Sequence, residues 1–280
     1  MVFLLIPLNL LIPLRIFNLT NIITSKQPQV HLVLPDPHAH PDHNNDRADW
    51  IGKLILDVKP DVVINIGDMF DMPSMAEYDK GKKSFWGRTY KKDINAGLDF
   101  DERLWDPVRR AKKKRPYAIF TEGNHEFRLK KAINLQPELE GTISFKDLDL
   151  NRNYDEVVEY AGNTPGIVEV DGIHYAHYFV SGVMGRPVGG EHPAYSLLTK
   201  EFVSCTCGHI HTTDYAVRTT VGGKRIMGLV AGVGQDYDSG WAGEVNKLWW
   251  RGVVIKRNVV DGSYDPEWVS MDRLKREYGE

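Results

Sequence analysis

Four short clusters of oxygen- and nitrogen-bearing side chains are spread along the chain, each at the end of an apolar run. They are Asp36-Pro37-His38, Gly67-Asp68, Gly123-Asn124-His125-Glu126 and Gly208-His209-Ile210-His211. Asp, Asn and His converging on one point suit a pair of divalent cations of intermediate hardness. Such a pair most often serves the hydrolysis of a phosphate ester, because it activates water and neutralises phosphoryl charge together.

Each cluster has a plainer reading beside the chemical one. Asp36 comes first after its strand, where a ligand is held rigidly, although His40, Asp42 and His43 make a simple polar loop the alternative. Gly67 lets the chain turn tightly, and Asp68 could then bridge two ions with its two oxygens. Asp71 falls one helical turn later and could orient a histidine from behind; a helix cap or an exposed carboxylate is the alternative. Asn124 offers a neutral oxygen, and His125 stands beside it without needing to bind metal. In an extended segment His209 and His211 face the same side, which lets two imidazoles reach two adjacent ions. Of His174 and His177, the second lies at a strand end like the other clusters and is the preferred extra ligand. His31, His43 and His192 read as structural or surface residues.

One further stretch mixes cations and rings. Lys80, Lys82, Lys83, Arg88, Lys91 and Lys92 interleave with Tyr78, Phe85, Trp86 and Tyr90. That mixture suits phosphate and base contacts, with a solvated charge run as the alternative. Lys82, Lys83 and Arg88, together with Asn124, are the candidate substrate contacts. Lys112 to Arg115 reads as a helix end favoured by the macrodipole.

The elements that must position these residues follow from periodicity. Val30 to Leu34 is a buried strand stopped by Pro35, and Asp61 to Ile66 is a second one. Between them Trp50, Ile51, Leu54, Ile55 and Val58 recur at helical spacing, with Asn45 or Asp46 as the cap. Acidic residues thus stand at the C-terminal ends of two strands of a strand–helix–strand unit, the edge where open α/β sheets build their sites. Met72 to Phe100 reads as an irregular or partly helical excursion across that edge. Asp101 to Lys114 is expected to be helical, Pro116 to Thr121 a third strand, and Phe127 to Leu139 a helix. Beyond Asn163, strands are expected at Ile167 to Val170, Ile173 to Tyr178, Phe202 to Cys207, Asp214 to Thr220, Arg225 to Val230 and Trp249 to Lys256. One helix, Pro193 to Lys200, interrupts them, so the second half supplies a second, more antiparallel sheet.

A chain of 280 residues can fold as one large α/β domain or two small ones. Its 42% hydrophobic residues supply a full core, which excludes a disordered chain. The formal net charge of −3 excludes a whole-molecule grip on nucleic acid, so any basic patch must be local. Cys205 and Cys207 are too few and too close for a disulfide framework or a thiolate zinc site. They read as small hydrophobes on one strand face, in a reducing compartment. Met1 to Ile23 is rich in Leu and Ile but broken by Pro7, Pro13 and Arg15, which counts against a spanning helix. It reads as a targeting or anchoring segment, a packed extension, or a flank that contributes little, the last being preferred. Residues 1–28 are therefore taken as an apolar N-terminal flank. Residues 29–280 are taken as a single domain with a basic and aromatic insertion at about 72–100.

Taken in order, the clusters meet the pattern D-x-H, G-D-x-x-D, G-N-H-[DE], H, G-H-x-H. From Val30 to Thr213 the chain resembles the calcineurin-like metallophosphoesterase superfamily. The resemblance implies an α/β (α+β) fold: a four-layer αββα sandwich of two mixed sheets flanked by helices, with a dimetal site at the strand ends. The C-terminal strands are expected to complete the second sheet. It also implies roles. Asp36, His38, Asp68 and His211 would hold one ion, and Asp68, Asn124, His177 and His209 the other. His125 would be the general acid, paired with Asp71. The cofactors would be two divalent ions, Mn first, with Fe, Zn or Ni also suited. Such ions sit roughly 3.5–4 Å apart and lower the pKa of a bridging water, whose hydroxide attacks phosphorus in line. His125 would protonate the departing oxygen.

Subclass rests on fewer residues. Met72 stands where the protein Ser/Thr phosphatases of the superfamily carry arginine, which argues against that type. The nuclease branch adds a DNA-binding cap after the last motif. Too few residues follow His211 for a large one, but the Met72–Phe100 excursion could contact nucleic acid instead. Leu34 to Asp42 and Asp71 to Lys92 also resemble phosphoesterases encoded by tailed bacteriophages. The expected substrate is a phosphodiester of nucleic acid, DNA included, or of a nucleotide. The alternatives are a small-molecule phosphomonoesterase or pyrophosphohydrolase, and a metal-bound interaction scaffold without catalysis. A cytoplasmic setting is expected (the host cytoplasm if phage-encoded), with no membrane partner unless the N-terminal segment is an anchor.

Overall fold

The computed structural model describes residues 19–279. Its first half runs β1 (Leu19–Ile23), β2 (Gln29–Leu34), α1 (Asp46–Val58), β3 (Val62–Asn65), α2 (Tyr90–Arg110), β4 (Tyr117–Thr121), α3 (Phe127–Leu135) and β5 (Glu156–Val158). The second half begins with β6 (Ile167–Val170), β7 (Ile173–Tyr175), the two-residue strands β8 (Val180–Ser181) and β9 (Arg186–Pro187), and α4 (Pro193–Glu201). It ends with β10 (Ser204–Cys207), β11 (Thr213–Thr219), β12 (Arg225–Ala231), β13 (Gly252–Val260), β14 (Ser263–Ser270) and α5 (Met271–Tyr278). The expectations for residues 1–18 lie outside the described residues.

Two six-stranded sheets result, in the orders β14-β13-β2-β3-β4-β5 and β1-β6-β7-β10-β12-β11. Strand alternation explains how they stack. Leu32, Leu34, Val63 and Phe120 face outward onto Trp50, Ile51, Leu54 and Ile55 of α1 and Phe100, Leu104 and Trp105 of α2. Their strand neighbours Val33, Ile64 and Ile119 point the other way and meet Val168, Val170, Tyr175 and Leu229 of the second sheet. A strand buried on both faces must be apolar at every position, which is why these strands read as continuous runs. On the far side, Leu197 and Leu198 of α4 cover Cys205, Cys207 and Val230. The layers are therefore helix, sheet, sheet, helix, and both cysteines are buried and unpaired. No helix of the described residues is long and apolar enough to cross a membrane.

Four expectations change. β13 and β14 do not complete the second sheet: β13 runs antiparallel beside β2, pairing Val254 with Val33 and Ile255 with Leu32. Val253, Val254 and Ile255 are all buried, as an interior strand requires. The second sheet is mixed rather than mostly antiparallel, because α4 returns the chain to lay β10 parallel to β7, and β12 lies parallel to β10. The expected helix from residue 101 begins at Tyr90 and ends at Arg110, with Ile94, Phe100, Leu104 and Val108 extending the buried stripe toward its start. α3 stops at Leu135 because Pro137 follows and Gln136 leaves helical geometry, at φ −135° and ψ 79°.

The core between the sheets holds one polar island. Lys256 of β13 is fully buried and donates from Nζ to Thr206 Oγ1 (2.5 Å) and Tyr175 OH (3.2 Å). The Tyr175 hydroxyl also meets His31 Nδ1 at 2.8 Å, and His31 Nε2 donates to Asp171 Oδ2 at 3.0 Å. Burial holds Lys256 well below the usual ammonium range. In the unfolded chain it titrates near 10.5, so the unfolded state binds more proton below that pH and Lys256 destabilises the fold there. That penalty fades as pH rises toward 10.5. Lys256→Met should therefore be at least as stable as wild type at pH 7, and its advantage in thermal midpoint should shrink at pH 10. A variant melting well below wild type at pH 7 would mean that the Thr206 and Tyr175 hydrogen bonds outweigh desolvation.

Candidate metal centre

Parallel strands bring their C-terminal ends to one edge, and this fold does so twice. β2, β3 and β4 deliver Asp36, Asp68 and Asn124, while β7 and β10 deliver His177, His209 and His211 from the facing sheet. Backbone bonds fasten these loops to one another: His38 N–H donates to Asp68 O at 2.9 Å, and Gly208 N–H to His177 O at 3.0 Å. The approach is tight. Asp36, His38, Asp68, His209 and His211 all have φ between 37° and 67°, the left-handed region that L-residues avoid. Such strain, about 1–3 kcal/mol per residue, persists only where surrounding structure over-determines it. The glycines follow from the same crowding. A Cβ on Gly123 would lie 2.2 Å from Asp68 Oδ1, and one on Gly208 would lie 2.1 Å from Asp36 Oδ1.

Three sets of side chains place ligand atoms within 4.8 Å of one another: Asp36, His38 and His211; His38, Asp68 and His125; Asp68, His177 and His209. In the first, Asp36 Oδ2 is 3.3 Å and His38 Nε2 is 3.1 Å from His211 Nε2. In the last, His177 Nε2 lies 3.3 Å from Asp68 Oδ2 and 2.9 Å from Asn124 Oδ1. All seven sequence-predicted ligands thus meet at the strand ends, with Asp68 between the two groups. His174 does not join them; it contacts Glu169 on the strand.

Hydrogen bonds from behind aim the imidazoles. His38 Nδ1 donates to Asp71 Oδ1 at 2.8 Å, and His177 Nδ1 donates to Ile66 O at 3.0 Å, so each Nε2 faces the cluster. Asp71 is shared, since its Oδ1 also lies 3.1 Å from His125 Nδ1, which donates to Asp71 O at 2.7 Å. Glu126, whose place in the tetrapeptide carried no role, is buried beneath the site. It accepts from Asp68 N–H (3.0 Å), Gly123 N–H (3.0 Å) and Phe70 N–H (2.8 Å), which pins the Asp68 loop to the α3 entry. Arg47 and Tyr237 support the other side, both donating to His38 O at 3.2 and 2.5 Å. Arg47 sits inside an apolar helix and Tyr237 far along the chain, so no local pattern pointed to them.

The electrostatics favour positive charge. Desolvation alone would raise Asp68, but His125, His177 and His38 hold it well below the usual carboxylate range. Desolvation alone would lower His177, yet Asp68 and Asp36 push it up to about 9. His209, buried and next to His177, falls to about 4. Carboxylates that draw a proton onto His177 would also attract a cation. Asp36 Oδ1 is a buried oxygen with no hydrogen-bond partner among the described residues, which a cation would satisfy. Mixed carboxylate, amide and imidazole donors suit Mn, Fe, Zn or Ni. The residues present therefore fit a pair of divalent ions.

A cleft of about 290 Å³ opens over this cluster, lined by Asp68, Asn124, His125, His209 and His211 on its floor. Its walls include Met75, Tyr78, Arg128, Lys131 and Trp241. Trp241 is exposed and tilted against Trp249, which in turn meets the His211 ring edge-on at 4.4 Å. Lys82, Lys83 and Arg88 do not line this cleft. Lys82 and Arg88 are taken up by Asp79, at 3.0 and 2.8 Å, and Lys83 is exposed. The cleft cations are Arg128 and Lys131, which the reading of α3 as a plain helix passed over.

The family model described as calcineurin-like phosphoesterase matches residues 31–213, the stretch that holds every ligand candidate. No curated protein matches the chain significantly. One similar solved structure is a conserved uncharacterised protein, a predicted phosphoesterase, from Streptococcus pneumoniae TIGR4. It is 13% identical over 89% of this chain and 92% of its own, with a TM-score of 0.35. An overlap that loose bears on nothing further.

If Asp68 serves both ion positions, Asp68→Asn should lose metal from both. Protein loaded with Mn or Zn and desalted should carry well under one ion per chain by mass spectrometry. Retention of two ions would rule out the shared position.

Proposed function

The chain belongs to the calcineurin-like phosphoesterase family, and from that membership we propose that it hydrolyses phosphodiesters of nucleic acids or nucleotides. Metal-dependent cleavage of phosphate esters is the family's chemistry, and the Asp, Asn and His cluster fits it. In this reading Asp36, His38, Asp68 and His211 hold one ion, and Asp68, Asn124, His177 and His209 the other. When bound, the pair would supply an activated water and Lewis acidity toward the phosphoryl oxygens. Mn is the preferred metal, and the two buried free cysteines fit a reducing, cytoplasmic setting.

The chain's own part is proton delivery. His125 is held at Nδ1 by Asp71, so Nε2 is the nitrogen left to face the cleft, 3.7 Å from Asp68 Oδ2. A proton on Nε2 can pass to the departing oxygen, with Asp71 stabilising the imidazolium. Desolvation and the nearby Arg128 lower His125, which makes it a stronger acid when it is protonated.

One observation favours a nucleotide-bearing diester over a small phosphate ester. The exposed rings of Trp241 and Tyr78 and the cations Arg128 and Lys131 line the same cleft as His125. A ring to stack on and a charge to meet phosphate are what a nucleotide needs and an inorganic or small alkyl phosphate does not. A phosphomonoesterase or pyrophosphohydrolase would use the same floor with little call for the tryptophan.

Metal-loaded protein should cleave an aryl phosphodiester and single-stranded DNA faster than an aryl phosphomonoester, and a chelator should abolish the activity. Preference for the monoester would transfer the reading to the small-molecule class. His125→Ala should keep its metal while turnover of a natural diester falls by roughly 10²–10⁴-fold. Unchanged turnover there would remove the general-acid role.

A further inference from the structure

Arg128 stands in the first turn of α3, half-buried in the wall of the cleft. Its Nη1 donates to Asp71 O at 2.9 Å and Met72 O at 3.2 Å, and its Nη2 to His125 Nε2 at 2.9 Å and Tyr78 OH at 3.3 Å. Every one of these acceptors is neutral. No carboxylate of the described residues forms an ion pair with Arg128, whereas Arg88, Arg103, Arg109 and Arg115 in the same half of the chain each have one. A guanidinium partly withdrawn from water and left without a counter-charge is costly, unless its partner is an anion that arrives.

The contact with His125 sharpens this. Asp71 already holds the ring through Nδ1, so the Nη2 contact is not needed to orient it. Nη2 instead occupies Nε2, the nitrogen that must face a leaving oxygen. We propose that Arg128 binds the phosphate of the substrate: Nη1 stays anchored on the Asp71 and Met72 carbonyls while Nη2 passes from His125 Nε2 to a non-bridging phosphoryl oxygen. The same movement that grips the ester frees the Nε2 lone pair, which takes up a proton from solvent and then faces the leaving group as the acid. The planar fork makes the exchange possible, because one edge can stay bonded while the other changes partner. Lys131, one turn along α3 and exposed, also lines the cleft, but its flexible point charge has no such anchor. This inference rests on the phosphoesterase reading of the cleft.

The test compares full-length, metal-loaded wild type with Arg128→Gln, Arg128→Lys and Lys131→Met. Two readings are taken: the Kd for inorganic phosphate by calorimetry, and kcat and KM on an aryl phosphodiester. Arg128→Gln should weaken phosphate binding and raise KM by roughly 10–100-fold at unchanged metal content, the loss expected for a charge-assisted hydrogen bond. Arg128→Lys should recover only part of it. On the activated ester kcat should fall far less than KM rises, which a purely structural support for His125 would not produce. Phosphate binding within twofold of wild type in Arg128→Gln would overturn the proposal. So would an equal loss in Lys131→Met, which would point to the general charge of the cleft. Should Arg128→Gln fold poorly, Arg128→Lys decides alone: wild-type phosphate affinity there removes the role of the fork. Phosphate binding needs no turnover, so an inactive wild type would count against hydrolysis and leave the Arg128 result readable.

Discussion

Asp68 is a carboxylate taken almost wholly out of water and set among three histidines, and the rest of the molecule is arranged around that burial. Its Oδ1 accepts the His125 N–H at 2.8 Å, its Oδ2 faces His177 at 3.3 Å, and its own N–H is held by Glu126. An isolated anion in such a place is unaffordable. The surroundings must therefore be positive, and the imidazoles arriving from four strand ends meet that need in a way a cation can share. The same demand reaches the backbone. Left-handed residues and glycines gather here because the loops must approach more closely than ordinary residues allow.

Burial of Glu126 extends the argument one layer down. Desolvation and the charge of Asp68 push Glu126 up to about 8, against three backbone N–H groups that favour its ionised form. Two carboxylates this close are compatible when Glu126 keeps a proton or when positive charge stands beside Asp68. The site and its support are thus one electrostatic unit, in which the loop after β3, the entry to α3 and the candidate metal ligands stand or fall together.

What the sequence disclosed was local. Asp36, Asp68, Asn124 and the histidines were legible because each follows an apolar run, and a strand buried on both faces announces its own end. The partners of β13 were not legible: Val253 to Ile255 would suit an interior position in either sheet, and only the pairing with β2 decides. Arg128 stayed hidden for a related reason. On α3 its spacing is that of any exposed helical cation, and its meaning comes from Asp71 and Met72, more than fifty residues earlier. Arg47 likewise belongs to an apolar helix face by position and to the His38 loop by contact.

The segment from Met72 to Thr89 shows how composition can point to the right region for the wrong residues. Its cations suggested direct phosphate contact, but Asp79 binds Lys82 and Arg88 and turns them into a brace, with Arg88 also donating to Pro73 O at 3.1 Å. What the brace presents to the cleft is Met75, Glu77 and Tyr78. Tyr78 in turn meets the Arg128 guanidinium through its hydroxyl and its ring face, 6.0 Å from the centroid. The charges of Asp79, Lys82 and Arg88 hold the segment's own shape, and it meets Arg128 through an aromatic ring. A cation that already has a carboxylate is a structural residue, and one that has only carbonyls and an imidazole is available for chemistry. That distinction depends on contacts across the fold, and it separates Arg88 from Arg128, which composition alone treats alike.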